Sequence, residues 1–244
     1  MRVGGTTEEE RMKRSITMAI ASLLGVATVV GPVGMTTAGA GGGGGGCTIV
    51  GTSGNDVLNG TAGRDVICGR GGNDIIKGGR GSDILKGGAG ADHLEGGLGR
   101  DILKGGGGRD ELLGGEGSDR LKGGARGDVM QGGHGNDILK GGGGKDNMAG
   151  GLDNDMLRGG TKGDTMRGSK GNDTLYGEAG KDKISAGQGD DMLVGGKQAD
   201  ELRGRVGDDT LDSVDGRGND LVRGQGGTDT CTTDPGDTVD GCEA

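Results

Sequence analysis

Residues 51–212 repeat a nine-residue unit eighteen times without a break, and such an array restricts the chain to a repetitive, quasi-one-dimensional fold. The sixth position of the unit is aspartate in every copy: Asp56, Asp65, Asp74, Asp83, Asp92, Asp101, Asp110, Asp119, Asp128, Asp137, Asp146, Asp155, Asp164, Asp173, Asp182, Asp191, Asp200 and Asp209. The eighth position is always aliphatic or methionine. Clear copies read G-G-R-G-S-D-I-L-K at 78–86 and G-G-H-G-N-D-I-L-K at 132–140. Glycine fills 67 of 244 positions, but there are only two prolines and the period is nine, not three, which argues against a collagen-like chain or a plain flexible linker. A disordered acidic chain would not keep its eighth position apolar through every copy.

The chemistry of the unit follows from its parts. Glycines allow positive φ and a tight curl that turns several carbonyl oxygens inward. Carbonyls joined by a carboxylate suit a hard cation, and calcium accepts six to eight oxygens at about 2.3–2.6 Å in irregular geometry. One turn cannot complete that shell, so each site needs two. The residues after the aspartate, such as Ile84, Leu85 and Lys86, are expected to run as a short strand with Leu85 inward and its neighbours outward.

A second, eighteen-residue period lies above the first. Lys86, Lys104, Lys122, Lys140 and Arg158 recur at the ninth position of alternate units, while Glu95, Leu113, Gln131 and Ala149 occupy that position in the units between. Met130, Met148 and Met166 repeat the spacing at position eight. Two units per coil give two short parallel sheets back to back, with turns along both edges and coils rising by about 4.8 Å. Nine turns on each edge leave sixteen inter-turn gaps in all. Without metal, carboxylates at that rise repel by about 0.9 kcal/mol per pair even at the dielectric of water. The many glycines lose much backbone freedom on folding, and one apolar side chain per unit makes a thin core. Metal binding and folding are therefore expected to be one event.

The unit G-G-x-G-x-D-x-U-x, with U a large aliphatic residue, resembles the repeat of the RTX, or haemolysin-type, calcium-binding family over most of the chain. The resemblance implies an all-β, right-handed parallel β-roll, a solenoid of nonapeptide repeats that binds multiple calcium ions. The expected metal residues are the eighteen aspartates of the array, together with Asp220 and Asp229 of two degenerate units beyond it. Four turns depart from the pattern: position four is Arg126, Asp153, Lys162 and Gln198, and after Arg126 and Lys162 a glycine follows one place late. Those turns are expected to bind more weakly. Relatives often attach the roll to a protease, lipase or pore-forming domain. Here no H-E-x-x-H, no activated serine or cysteine and no long membrane-inserting region accompanies it, so no enzyme activity is expected. His93 and His134, at positions seven and three of their units, read as exposed strand and turn residues.

The ends are written differently. Arg11, Lys13 and Arg14 precede an apolar run over 16–30, and Ala38-Gly39-Ala40 offers a small-residue cleavage site, so 1–40 reads as a signal peptide with cleavage after Ala40. Met12 is an alternative start that would make the acidic residues before it an upstream extension. The apolar run is shorter than the roughly 20 residues of a membrane span, which argues against an anchor. Residues 41–50 form a Gly-rich leader and N-terminal cap, 51–212 the array, 213–232 degenerate repeats entered through the extra Ser213 and Val214, and 233–244 a C-terminal cap.

Cys47, Cys68, Cys231 and Cys242 flank the array, and an even count in an exported chain reads as disulfides. Nine coils separate Cys68 from Cys231, about 43 Å at the strand spacing, so only Cys47–Cys68 and Cys231–Cys242 suit a formed roll. A zinc site lacks paired C-x-x-C spacing and nearby histidine.

The expected function is that of a secreted, extracellular calcium-binding β-roll that folds on meeting outside calcium. The alternative is a calcium-stiffened adhesin or interaction module retained at the cell surface. Calcium is the expected partner. An anionic surface polymer is a candidate ligand for the column from Lys86 to Arg158, against the plainer reading of a solvated face that keeps sheets from sticking. No nucleic acid and no stable membrane insertion after signal cleavage are expected.

Overall fold

The computed structural model describes residues 28–31, 34–37 and 46–243. Before residue 46 only an antiparallel pair is described, Thr28–Gly31 with Gly34–Thr37. The expected leader and its cleavage site otherwise lie outside the described residues.

From Ile49 onward, strands alternate between two eleven-stranded parallel sheets, each strand hydrogen-bonded to the strands one coil before and after it. Ile84–Ala89 pairs with Ile102–Gly107, setting Leu85 against Leu103 and Lys86 against Lys104. His93–Leu98, which lies between them in sequence, pairs with Glu111–Glu116 in the other sheet. Two units therefore make one coil, and the described array is a parallel β-solenoid, the β-roll that the double period predicts. No helix occurs among the described residues.

The core is one column of side chains from each sheet. Position eight is buried in every unit, and Met130, Met148 and Met166 stack through their paired strands. Positions seven and nine alternate outward, as strand geometry requires.

The strands are twice as long as the sequence suggests. They run for six residues, as in Ile84–Ala89, and take in the first three positions of the following unit. The reason is that position one faces inward beside position eight and is glycine for want of space. A Cβ on Gly87 would lie 2.2 Å from Asp92 Oδ2 and 2.8 Å from the Gly105 carbonyl oxygen. Positive φ belongs instead to the second and fourth positions, as at Gly88 (119°) and Gly90 (127°). At the fourth position Arg126, Asp153, Lys162 and Gln198 adopt that conformation without being glycine, at φ of 77°, 71°, 79° and 82°.

The insertion at Ser213 and Val214 is absorbed in a turn. Glu201–Val206 still pairs with Leu221–Gly226, now across twenty residues instead of eighteen. The cysteines pair at the two ends, Cys47 with Cys68 (Cα–Cα 6.1 Å) and Cys231 with Cys242 (5.7 Å), the connectivity that a formed roll predicts.

Candidate metal centre

Every aspartate singled out in the sequence is buried, from Asp56 through Asp229. The coil places them in two columns. Asp56, Asp74 and their successors through Asp200 and Asp220 line one edge, and Asp65 through Asp209 and Asp229 line the other. Each column is zipped by a repeated contact in which the backbone N–H of one aspartate donates to Oδ1 of the aspartate one coil on. The distance is 2.9 Å from Asp74 to Asp92 and 2.8 Å from Asp83 to Asp101. The peptide carbonyl of each aspartate accepts from the first strand residue of the next coil, as when His93 N–H donates to Asp74 O at 2.8 Å.

The second carboxylate oxygen is treated differently. Oδ2 is buried without a hydrogen-bond donor at every aspartate from Asp74 through Asp191, and again at Asp209, Asp220 and Asp229. A buried anionic oxygen left so is costly unless a cation meets it. Burial accordingly drives the carboxyls from Asp74 through Asp191, with those of Asp209 and Asp220, toward the neutral acid. It raises Asp74 and Asp101 to about 6, against the lowering effect of the ladder hydrogen bond. Asp137 rises to about 7 and Asp155 to about 8, burial again leading, with neighbouring carboxylates, Asp153 among them, adding to it.

Among the described residues no group of three or more acidic, histidine or cysteine side chains comes together, so side chains alone do not build a metal site. The remaining oxygens are carbonyls. At most inward first positions, the unit's own Oδ2 converges with the carbonyl oxygen of the next coil's first residue, in a cradle that a Cβ would fill. On Gly96 that Cβ would lie 2.5 Å from Asp101 Oδ2 and 2.6 Å from Gly114 O. This donor set, one unpartnered carboxylate oxygen with uncharged carbonyls between stacked turns, fits a hard divalent cation and offers nothing soft.

At two predicted aspartates the cradle is present but Oδ2 is already hydrogen-bonded. Asp56 Oδ2 accepts from the backbone N–H and hydroxyl of Thr52 at 2.6 and 3.0 Å, and Asp65 Oδ2 accepts from those of Thr61 at 2.6 and 2.9 Å. Threonine at position two, without the positive φ of the later turns, lets the first coil satisfy its own carboxylates.

Sequence reasoning missed Asp237. It ends the first column by accepting from Asp220 N–H at 3.0 Å with Oδ1, while its Oδ2 accepts from Asp234 N–H and the Ser213 hydroxyl at 2.9 Å each. Burial alone would raise its pKa, but these hydrogen bonds outweigh it and hold the group below the ordinary carboxylate range. Its spacing of seventeen from Asp220, in a tail without the repeat's glycines, hid it. His93 Nδ1 pairs with Glu111 Oε2 at 2.9 Å, and His134 is exposed.

The family model described as RTX calcium-binding nonapeptide repeat (4 copies) matches overlapping windows at 41–76, 50–85, 69–103, 86–121, 122–157, 158–193, 185–217 and 213–239. No curated protein matches the chain. The matched windows run without a gap through both aspartate columns, and the chain belongs to the family of RTX calcium-binding nonapeptide repeats.

Proposed function

We propose that the protein is an exported, non-enzymatic calcium-binding β-roll whose aspartate columns take calcium between successive turns and whose folding is completed by that metal. The unpartnered Oδ2 in turn after turn carries the reading. Calcium is the cation that accepts such irregular shells of carboxylate and carbonyl oxygen, whereas magnesium demands a small near-ideal octahedron. The Asp74 through Asp209 units, with Asp220 and Asp229, would supply the carboxylates, and the turn carbonyls the rest. Two disulfides support an oxidising, extracellular setting.

Circular dichroism during a calcium titration tests the proposal. The chain should be largely unfolded in chelator and become β-rich as calcium reaches roughly 10⁻⁴ to 10⁻³ M, the range of extracellular modules, with magnesium a poor substitute. Identical spectra in chelator and in 10⁻² M calcium would defeat it.

A second reading, a surface-associated interaction module, is favoured by the outer face of one sheet. Lys86, Lys104, Lys122, Lys140 and Arg158 stand in register on consecutive strands, and among the described residues the four lysines have no ion-pair partner. Retention of the protein on intact cells, rather than release into the medium, would support this reading.

A further inference from the structure

Beyond the sheet face, one edge of the roll carries a second row of cations. Five consecutive turns on the Asp110-to-Asp182 edge each present one exposed base: Arg109, Arg126, Lys145, Lys162 and Lys181. The base sits alternately one and two residues before the column aspartate, and the other of those two places is always glycine. The turns are stacked too closely for anything else. A Cβ on Gly144 would lie 2.1 Å from the Arg126 carbonyl oxygen, and one on Gly163 would lie 2.4 Å from that of Lys181.

This arrangement is not what the turn requires. On the opposite edge position four stays glycine except at Asp153; position five is basic only at the early, non-consecutive turns of Arg64 and Arg100, and from Ser118 onward Ser, Asn or Asp there caps the neighbouring turn, as when Asn136 Oδ1 accepts from Asn154 N–H at 3.0 Å. The basic edge abandons that ladder after Asn73 and holds Arg126 and Lys162 in the left-handed region, where non-glycine residues are strained. The other two departures are hydrogen-bonded into place: Asp153 Oδ2 accepts from Gly135 N–H, and Gln198 N–H donates to Asp215. Arg126 and Lys162 have no such contact, and none of the five bases is ion-paired among the described residues.

Lys145, Lys162 and Lys181 line a groove of about 830 Å³ with Lys183, Thr161 and Thr165. The only acids along it are the buried column residues Asp146 and Asp164, which bound metal would neutralise. In the two places before the column aspartate, the opposite edge on neighbouring coils runs instead from neutral Ser118 and Asn136 to acidic Asp190 and Asp208.

We propose that this edge binds a linear acidic polysaccharide, sulfated or carboxylated, laid along the roll axis. One cation per coil at about 4.8 Å presents a charge at roughly each sugar ring of such a chain. Hydroxyl and amide groups lining the groove suit its hydroxyls. A single-stranded nucleic acid would need stacking platforms, and the chain has no tryptophan or phenylalanine and one tyrosine. The row exists only when coils are stacked, so binding rests on the calcium-folding reading and requires calcium.

Dextran sulfate, which does not gel with calcium, serves as the probe, with neutral dextran and polyphosphate as comparisons. Binding is measured by calorimetry, and folding by circular dichroism on the same samples. The test variant combines Arg126→Gly and Lys162→Gly, which relieve the left-handed strain, with Lys145→Asn and Lys181→Asn, which copy the opposite edge. It should fold with calcium at least as readily as the parent and bind dextran sulfate roughly tenfold more weakly, with a shallower salt dependence. Arg64→Asn with Arg100→Asn, on the other edge, should leave binding unchanged. Equal binding by parent and test variant, loss only when Lys86, Lys104, Lys122 and Lys140 are replaced by Gln, or preference for polyphosphate would each overturn the proposal. A calcium-dependent fold that ignores dextran sulfate refutes this edge alone, whereas spectra that do not respond to calcium refute the calcium reading and this edge together.

Discussion

The backbone N–H of Asp137 donates to Oδ1 of Asp155 at 2.8 Å, while Asp155 Oδ2, equally buried, has no donor at all. Half of the carboxylate is thus committed to holding two coils together and half is left without a donor. That division makes the metal-free roll sensitive to pH.

Burial, with neighbouring carboxylates, raises Asp155 from 3.8 to about 8 and Asp137 to about 7, so the folded chain binds more protons than the unfolded chain between those limits. Stability then falls as pH rises. The contribution is fully present below about pH 4 and is lost as the pH climbs through 6 to 8. In metal-depleted buffer, acidification from pH 8 to pH 5 should therefore increase β-structure by circular dichroism. With calcium present the trend should reverse, because protons compete with the metal for the same oxygens. A metal-free chain that is more folded at pH 8 than at pH 5 would contradict this account.

Gly96 tests the cradle. An Ala there would meet Asp101 Oδ2 and Gly114 O within 2.6 Å, and overpacking of this kind costs about 1–3 kcal/mol. Gly96→Ala should lower the thermal midpoint in calcium and weaken calcium binding. Gly107→Ala, whose added Cβ finds its nearest neighbour at 3.9 Å, should stay within about 0.5 kcal/mol of the parent. Ala186 already stands at a first position, with Asp173 N–H still 2.7 Å from Asp191 Oδ1, so one methyl can be absorbed locally. Equal midpoints for the two Gly→Ala variants would show that space at position one is not limiting.

What was legible in the sequence was whatever obeyed the period. The eighteen-residue recurrence of Lys86 and Met130 gave the register of both sheets, and position eight gave the core. The distance between the ends of such a roll gave the disulfides. What was not legible depended on contacts between coils. Glycine at position one looks like any other glycine until Asp92 Oδ2 is seen against Gly87. Thr52 and Thr61 look like ordinary substitutions, yet they close the first two carboxylates. Asp237 joins its column at a spacing of seventeen from Asp220, a step that the nine-residue period does not mark.

Thr61 offers a gain-of-function test of the metal columns. Thr61→Val removes the 2.9 Å hydroxyl contact to buried Asp65 Oδ2 and should cost about 1–3 kcal/mol without changing the number of calcium ions bound. Thr61→Gly restores the repeat's own residue and allows the positive φ seen at position two of later turns. That variant should bind one more calcium than the parent by equilibrium dialysis. If both variants bind the parent's number of ions, a free Oδ2 is not what defines a site.

Tyr176 reports whether the roll assembles as a unit. It is the only tyrosine in a chain without tryptophan, it continues the column of Lys86 to Arg158, and the Arg158 guanidinium lies 4.9 Å from its ring centroid. Arg158 also reaches Glu178 Oε1 at 3.4 Å, a contact made only when two coils are stacked. Tyrosine emission should therefore change as the coils carrying Arg158 and Tyr176 come together. In a solenoid stabilised by nearest-neighbour interfaces, with metal bound between turns as proposed, emission and circular dichroism should share one calcium midpoint. Arg158→Gln should shift both midpoints together to higher calcium, by no more than the roughly 0.5–1 kcal/mol of an exposed cation–π contact. If emission saturates well before the circular dichroism signal, the middle of the array binds calcium first and the ends follow as separate segments.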